Sequence, residues 1–233
     1  MELKAISIFL FSTVLCLSYG QLIIPNRPLG YFYSGTRDAP IHLDVHMCPL
    51  CPDSAASFPI LKQVAEHYGP TNLTLVMHLF PLPFHHQAYL VTKGAEVVRK
   101  YGGGDSAAYE WLKYFYDDLI LKGTFSNANT AGMTTNEVIT ALAEVAVGQG
   151  MQEDVFRQRM DNSDINRKTR AAWKYSCTRG VASTPTFFLN DIEVRSALST
   201  WTKNEWIQVI DPLLNLPEET NKPPVSSAKK IVN

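Results

Sequence analysis

The chain has 233 residues, of which 45% are hydrophobic and 18% charged, with a formal net charge of -1. A chain of that length can bury a core without covalent staples. The near-neutral balance gives no footing for nucleic acid or an anionic membrane surface, and 4 cysteines in such a length do not make a disulfide scaffold.

Residues 1–20 read as a cleavable secretory signal peptide: Lys4, an apolar run over 5–17, then a small-residue exit at Ser18, Tyr19 and Gly20. The run is shorter than the roughly 20 residues that cross a bilayer, so no membrane span is expected once cleavage occurs near Gly20 and Gln21. Cleavage removes Cys16 and leaves Cys48, Cys51 and Cys177. The mature chain is expected to be secreted or to stay in the secretory-pathway lumen, and its end, KKIVN, is no retrieval tetrapeptide. An N-terminal extension, 21–37, carries Tyr31, Phe32 and Tyr33, which predict a short edge strand.

Residues 41–47 alternate, with Leu43, Val45 and Met47 on one face and His42, Asp44 and His46 on the other, which predicts a strand running into the cysteines of CPLC. From Pro49 the spacing turns helical, placing Ala56, Phe58, Leu61, Val64 and Ala65 inward until Gly69 and Pro70 stop it. Residues 73–80 predict a second strand, and strand, helix, strand make a βαβ unit. At its start Asn72-Leu73-Thr74 fits the N-glycosylation acceptor pattern, with Asn72 as the acceptor.

Five helical runs follow, 88–101, 106–121, 135–147, 152–160 and 165–178, parted by loops such as 102–104 and 123–132. Strands at 186–189 and 192–195 are joined by Asn190-Asp191, residues that tolerate the positive φ of a tight hairpin. A last helix, 202–215, turns Trp206, Val209, Ile210 and Leu213 inward, and the polar stretch 217–233 reads as a disordered tail. The folded domain is thus 38–216, with helices inserted over about 88–179.

Cys48 and Cys51 leave three chemistries open: a redox pair, half of a metal site, or a staple. So small a loop gains little from a staple. A closed zinc site needs four ligands, and Cys177 is distant with no partner spacing, so no metal is expected. Cys177 reads as a small buried hydrophobe. His85 and His86 read as half-exposed cap residues, the apolar residues of 80–86 as core, and Trp111, Trp173, Trp201 and Trp206 as helix packing.

Three stretches carry a resemblance: DAPIHLDVHMCPLC, FPLPFHHQA and GVASTPTFFLND. In this order they resemble the DsbA-like branch of thiol-disulfide oxidoreductases, which implies an α/β thioredoxin-like fold with an all-helical insertion. The resemblance implies a Cys48-Cys51 disulfide, with Cys48 as nucleophile at the helix start, where the dipole lowers a CxxC thiol to roughly 3.5 to 7.5. Cys51, deeper in, would resolve the mixed disulfide. Pro49, suited to the first helical turn, and Leu50 would tune the potential. Pro185 would be cis, leaving the Thr184 backbone free to hold a substrate strand. His42 takes the position, six before the first cysteine, where such folds commonly hold a buried acid that handles protons. The implied partners are protein or peptide thiols and disulfides, with no dissociable cofactor. The rivals are a binding module with a structural disulfide and a peroxidase or transferase using Cys51 alone.

Overall fold

The computed structural model describes residues 25 and 27–214. The expected signal peptide, part of the N-terminal extension and the 217–233 tail lie outside the described residues. Five strands, β1 Tyr31–Ser34, β2 Ile41–Met47, β3 Leu73–Leu79, β4 Thr186–Leu189 and β5 Ile192–Glu193, form one sheet in the order β1-β3-β2-β4-β5. β2 and β3 are parallel, so their link must cross over, and helix α1, Pro52–Tyr68, is that crossover. The other pairs, β1 on β3, β4 on β2 and β5 on β4, are antiparallel.

Between β3 and β4 runs the helical block: α2 Ala88–Val98, a π-helical turn Arg99–Gly103, α3 Asp105–Leu121, α4 Asn127–Thr130, α5 Thr135–Gly148, α6 Glu153–Met160 and α7 Ser163–Thr178. Helix α8, Lys203–Leu214, closes the fold. This is a thioredoxin-like sheet with a helical insertion. Among the described residues no helix is long and apolar enough to cross a membrane.

The alternation of β2 divides the sheet into two chemistries. Leu43, Val45 and Met47 are fully buried on the face where Phe187, the cross-strand partner of Val45, meets Trp206 of α8. The opposite face turns His46 and His78 against Tyr175 and Ser176 of α7. Central β3 is buried at every residue, as a strand covered on both faces must be.

Several boundaries move from their sequence positions. α1 starts at Pro52, not Pro49, because Cys48 to Cys51 form a turn closed by the Cys51 N–H on the Cys48 carbonyl (3.2 Å), leaving Pro52 to take the proline-tolerant first position. Phe58, Leu61, Val64 and Ala65 face inward as expected, but Ala55 rather than Ala56 does. The first inserted helix ends at Val98 and passes into the π-helical turn, and the 123–132 loop hides the one-turn α4, capped by Ser126. The predicted 192–195 strand keeps two residues. Asn190 (φ 46) and Asp191 (φ 68) take the positive φ of the hairpin. Asn72 is exposed before β3, its amide donating to the Tyr68 carbonyl (3.0 Å).

The block has its own core around the fully buried Trp111, which packs on Phe115 and Phe156 and donates its indole N–H to the Val91 carbonyl (3.0 Å). α2 lies this close because it presents Gly94 to the indole, where an added Cβ would overlap the Trp111 ring. Alanine is the better helix former by about 1 kcal/mol, yet overpacking a core costs about 1–3 kcal/mol. Gly94→Ala should therefore lower the urea midpoint of unfolding despite its helix propensity, and an unchanged or raised midpoint would show that the indole can move aside.

Candidate active site

β2 ends at Met47, and the chain turns at once through Cys48, Pro49, Leu50 and Cys51 into α1. Four bonds hold the turn. The Cys48 N–H donates to Ser54 Oγ (3.3 Å), the Tyr116 hydroxyl of α3 donates to the Cys48 carbonyl (3.3 Å), and the Cys51 N–H returns to that same carbonyl. The Ala55 N–H then reaches the Cys51 carbonyl (3.0 Å), which makes Cys51 the N-cap of α1.

Each sulfur faces a different loop. Cys48 Sγ lies 3.2 Å from His85 Nδ1 and 3.5 Å from the Leu82 N–H, both in the loop after β3. Cys51 Sγ–H donates to the Thr184 carbonyl (3.4 Å), and the Thr184–Pro185 bond is cis. Met47 pairs with Leu79, and the Phe80 N–H donates to the Met47 carbonyl (2.8 Å), so the 80–86 loop and the CPLC turn leave the sheet as neighbours.

Cys48 and Cys51 are both free thiols in this structure, the reduced state of the pair. Several expectations need correction. Cys51 is not the more buried residue, since Cys48 is 0% and Cys51 5% exposed. The helix N-terminus meets Cys51, three residues beyond the thiol it was expected to acidify, and Pro49 sits in the turn, not in the helix. Cys48 is accordingly not a low-pKa thiol: burial pushes it up to about 11, against an opposing pull from the Leu82 and Leu50 N–H groups. The Thr184 carbonyl is engaged by Cys51 rather than free. Leu50 is buried at 4% exposure and brings no polar atom.

His42 stands near the far end of β2. Its ring bonds the Arg37 carbonyl (3.1 Å) and its N–H donates to Asn190 Oδ1 (2.7 Å), so its partners lie away from both thiols. The polar group that the sheet does bury is different. His78 Nε2 bonds Asp44 Oδ1 (2.7 Å), His46 stacks on His78 at 4.7 Å, and His46 Nδ1 lies 2.8 Å from Ser176 Oγ. Cys177, expected to be buried, is exposed on α7. Among the described residues no cluster of histidine, cysteine or acidic side chains could hold a metal.

The residue that sequence reasoning missed is His85, which is half-buried beside Cys48 rather than a cap. The usable signal was the parallel pairing of β2 and β3, which puts whatever follows residue 79 beside whatever follows residue 47. The 80–86 loop also divides: Phe80 and Leu82 are core, but Phe84 is 61% exposed. Burial lowers the His85 pKa, as it raises that of Cys48.

Two cysteines in a turn between a central strand and a helix, opposite a cis-proline loop, with a helical block between β3 and β4, define the thioredoxin fold in its DsbA-like form. A family model described as thioredoxin matches residues 30–209, and the chain belongs to that family. Solved structures agree in fold. A Pseudomonas syringae protein that bears a protein-disulfide isomerase name is 18% identical with a TM-score of 0.68, covering 78% of this chain and 97% of its own. BdbD from Bacillus subtilis is 13% identical with a TM-score of 0.62, covering 79% and 92%. Pseudomonas aeruginosa DsbA2 is 16% identical with a TM-score of 0.60, covering 83% and 100%. No curated protein matches the chain.

Two pH effects follow. His46 is pushed down to about 3 by burial first and then by His78, with Asp44 opposing and Arg179 adding to the fall. A base depressed in the fold gives stability that is full above its unfolded pKa of about 6.5 and is lost as pH falls toward 3. Urea unfolding between pH 6 and 4 should show a loss of up to about 1.4 kcal/mol per pH unit, much reduced in His46→Phe. For Cys48 the sign is reversed: an acid raised from 9.0 to about 11 keeps its stabilisation below pH 9 and loses it as pH rises toward 11. The reduced protein should lose more stability across that window than Cys48→Ala, whose remaining loss comes from buried tyrosines such as Tyr31, Tyr109 and Tyr116; matching alkaline profiles would show that the thiol is not held protonated.

Proposed function

We propose that the protein is a thiol-disulfide oxidoreductase acting on protein cysteines in the lumen of the secretory pathway. The observation that carries this reading is the placement of both free thiols of one CxxC between two loops, Cys48 against Leu82 and His85 and Cys51 against Thr184. Thiol-disulfide exchange needs two sulfurs that can bond each other and, in turn, a substrate sulfur. A turn with only two residues between them keeps the sulfurs within mutual reach. The fold shared with protein-disulfide isomerase-named and DsbA-named structures supports the same chemistry, and the apolar segment after Lys4 supports the compartment. Asn72, exposed before β3, is the proposed glycan acceptor.

Beside Cys48 lies an open groove of about 550 Å³ whose walls include Phe80, Phe84, Trp173, Ala182 and Arg170. Trp173 stacks parallel on Phe80 at 6.1 Å and stays 39% exposed. Exposed aromatic surface next to a thiol suits an extended polypeptide presenting its cysteine. Exchange would begin at Cys48, whose neighbours Leu82 and His85 line this groove, with Cys51 attacking the Cys48 sulfur to release the substrate. The cis Thr184–Pro185 loop would steady Cys51 through the Thr184 carbonyl.

Direction follows from charge. A strongly oxidising pair is one whose reduced form is stabilised, largely as a thiolate. With Cys48 pushed up by burial and Leu50 contributing no charge, that stabilisation is weak. The midpoint should lie nearer the roughly −270 mV of thioredoxin than the roughly −120 mV of DsbA.

The complete burial of Cys48 favours a second reading, in which the pair does not turn over and the domain only binds its partner. Equilibration in graded glutathione and dithiothreitol buffers, with thiol trapping and mass counting, separates the two. The oxidoreductase reading expects Cys48 and Cys51 to titrate together within the range of cellular thiol couples. A pair that stays oxidised until strongly reducing conditions would be structural, and the binding reading would replace it.

A further inference from the structure

We propose that His85, which lies outside the CPLC motif, is a catalytic residue: the base that takes the proton from Cys48 and hands it on to the departing substrate sulfur. The proposal rests on the thiol-disulfide reading for its purpose, although the proton transfer itself is a property of the pair. Cys48 is 0% exposed, so its proton has no direct path to water. Its sulfur meets the Leu82 and Leu50 N–H groups, which can only donate, and His85 Nδ1 at 3.2 Å. His85 is half-buried, so its ring bridges a closed sulfur and the open groove. No other side chain on Cys48 Sγ can accept a proton.

The ring is held for the task. The His85 N–H donates to the Leu82 carbonyl (3.1 Å), and the Ala88 N–H donates to the His85 carbonyl (2.9 Å). On either side, Asn127 of α4 binds the Phe84 carbonyl through Nδ2 (2.6 Å) and the His86 N–H through Oδ1 (2.9 Å). Phe84 meets the imidazole edge-on at 4.9 Å. The other titratable groups nearby are Cys51 and Tyr116 around the sulfur and His86, Tyr89 and Arg170 along the groove. None of them hydrogen-bonds Cys48 Sγ.

The motif explains the need. Leu50 is apolar, so no charge inside CPLC can stabilise or create the thiolate, and the helix end is spent on Cys51. With the Nε2–H tautomer, Nδ1 accepts the Cys48 proton and becomes imidazolium as the sulfur becomes thiolate. The thiolate attacks a substrate disulfide: a Cys48–S bond forms, the substrate S–S bond breaks, and the electron pair leaves on the departing sulfur, which takes the proton from the imidazolium. Cys51 then attacks Cys48 Sγ: the Cys48–Cys51 bond forms, the bond from Cys48 to the substrate sulfur breaks, and that sulfur leaves with the electron pair and takes up the Cys51 proton, giving the protein disulfide and two substrate thiols in all.

The test measures Cys48 alone, by iodoacetamide alkylation in a Cys51→Ser, Cys177→Ser background from pH 6 to 11, with His85 intact or changed to Gln or Ala. Gln keeps the cover and the hydrogen-bonding capacity but not the base. The expected result is an alkylation rate roughly 100-fold lower at pH 7 in both variants. It should converge on the parent only as pH reaches 11, where the thiol ionises unaided, and added imidazole should partly restore His85→Ala. A rate within threefold of the parent at pH 7, a deficit equal at pH 7 and pH 11, or a faster rate in both variants would make His85 a cover or a structural residue and overturn the proposal. Alkylation needs no disulfide substrate. A His85-dependent rate in a protein that lacks a reversible couple would therefore sink the oxidoreductase reading while leaving the base in place.

Discussion

The parallel register of β2 on β3, with Met47 opposite Leu79, makes the two strands leave the sheet side by side at one edge. β4 enters at that same edge, because it runs antiparallel to β2 with Thr186 opposite His46. Three connections therefore converge there, the CPLC turn, the 80–86 loop and the residues before Pro185. Clefts beyond the carboxyl ends of parallel strands are where α/β sheets place their ligand sites. Here the same geometry supplies two sulfurs, an imidazole and a carbonyl without any long reach of a side chain.

The sheet's second face carries a cost that the first does not. Leu43, Val45 and Met47 need only apolar neighbours, whereas His46 and His78 bring four ring nitrogens into a dry layer. Each ring nitrogen that is buried needs a partner to avoid a desolvation cost. Asp44 and Ser176 meet two of them, and His46 Nε2 has no partner among the described residues. Since Ser176 belongs to α7, the end of the helical block is tied to the central strand by a polar contact as well as by packing. That contact fixes the segment from which the residues before Pro185 depart.

The order of elements was legible because each depends on local pattern. Period-two alternation marked β2, helical spacing marked the inserted helices, and Asn190-Asp191 marked the hairpin. The start of α1 was misplaced because two prolines, Pro49 and Pro52, compete for one role, and only the turn closed at Cys48 decides between them. Burial was the least legible quantity. Whether Cys48 or Cys51 is covered, and whether Cys177 is exposed, depends on loops that approach from more than thirty residues away in sequence. His85 was hidden for the same reason, since nothing in FPLPFHH states which sulfur it will meet. His42 was misassigned by position in a motif, while its partners Arg37 and Asn190 are set by the strand end.

The separation between the two halves of the site also has a kinetic side. Cys51 and Thr184 are 133 positions apart, and the bond from His42 to Asn190 closes 148. Contacts of such span form late, after the local helices and the compact βαβ unit have reduced the entropy of closing the loop. On a chain made from its N-terminus, the cysteine pair emerges and meets the solvent well before its last wall has been synthesised. During that interval the thiols are as open to oxidants and other chains as any unfolded cysteine. The order of synthesis thus gives the pair two chemical lives, a promiscuous one on the nascent chain and a sheltered one in the finished fold.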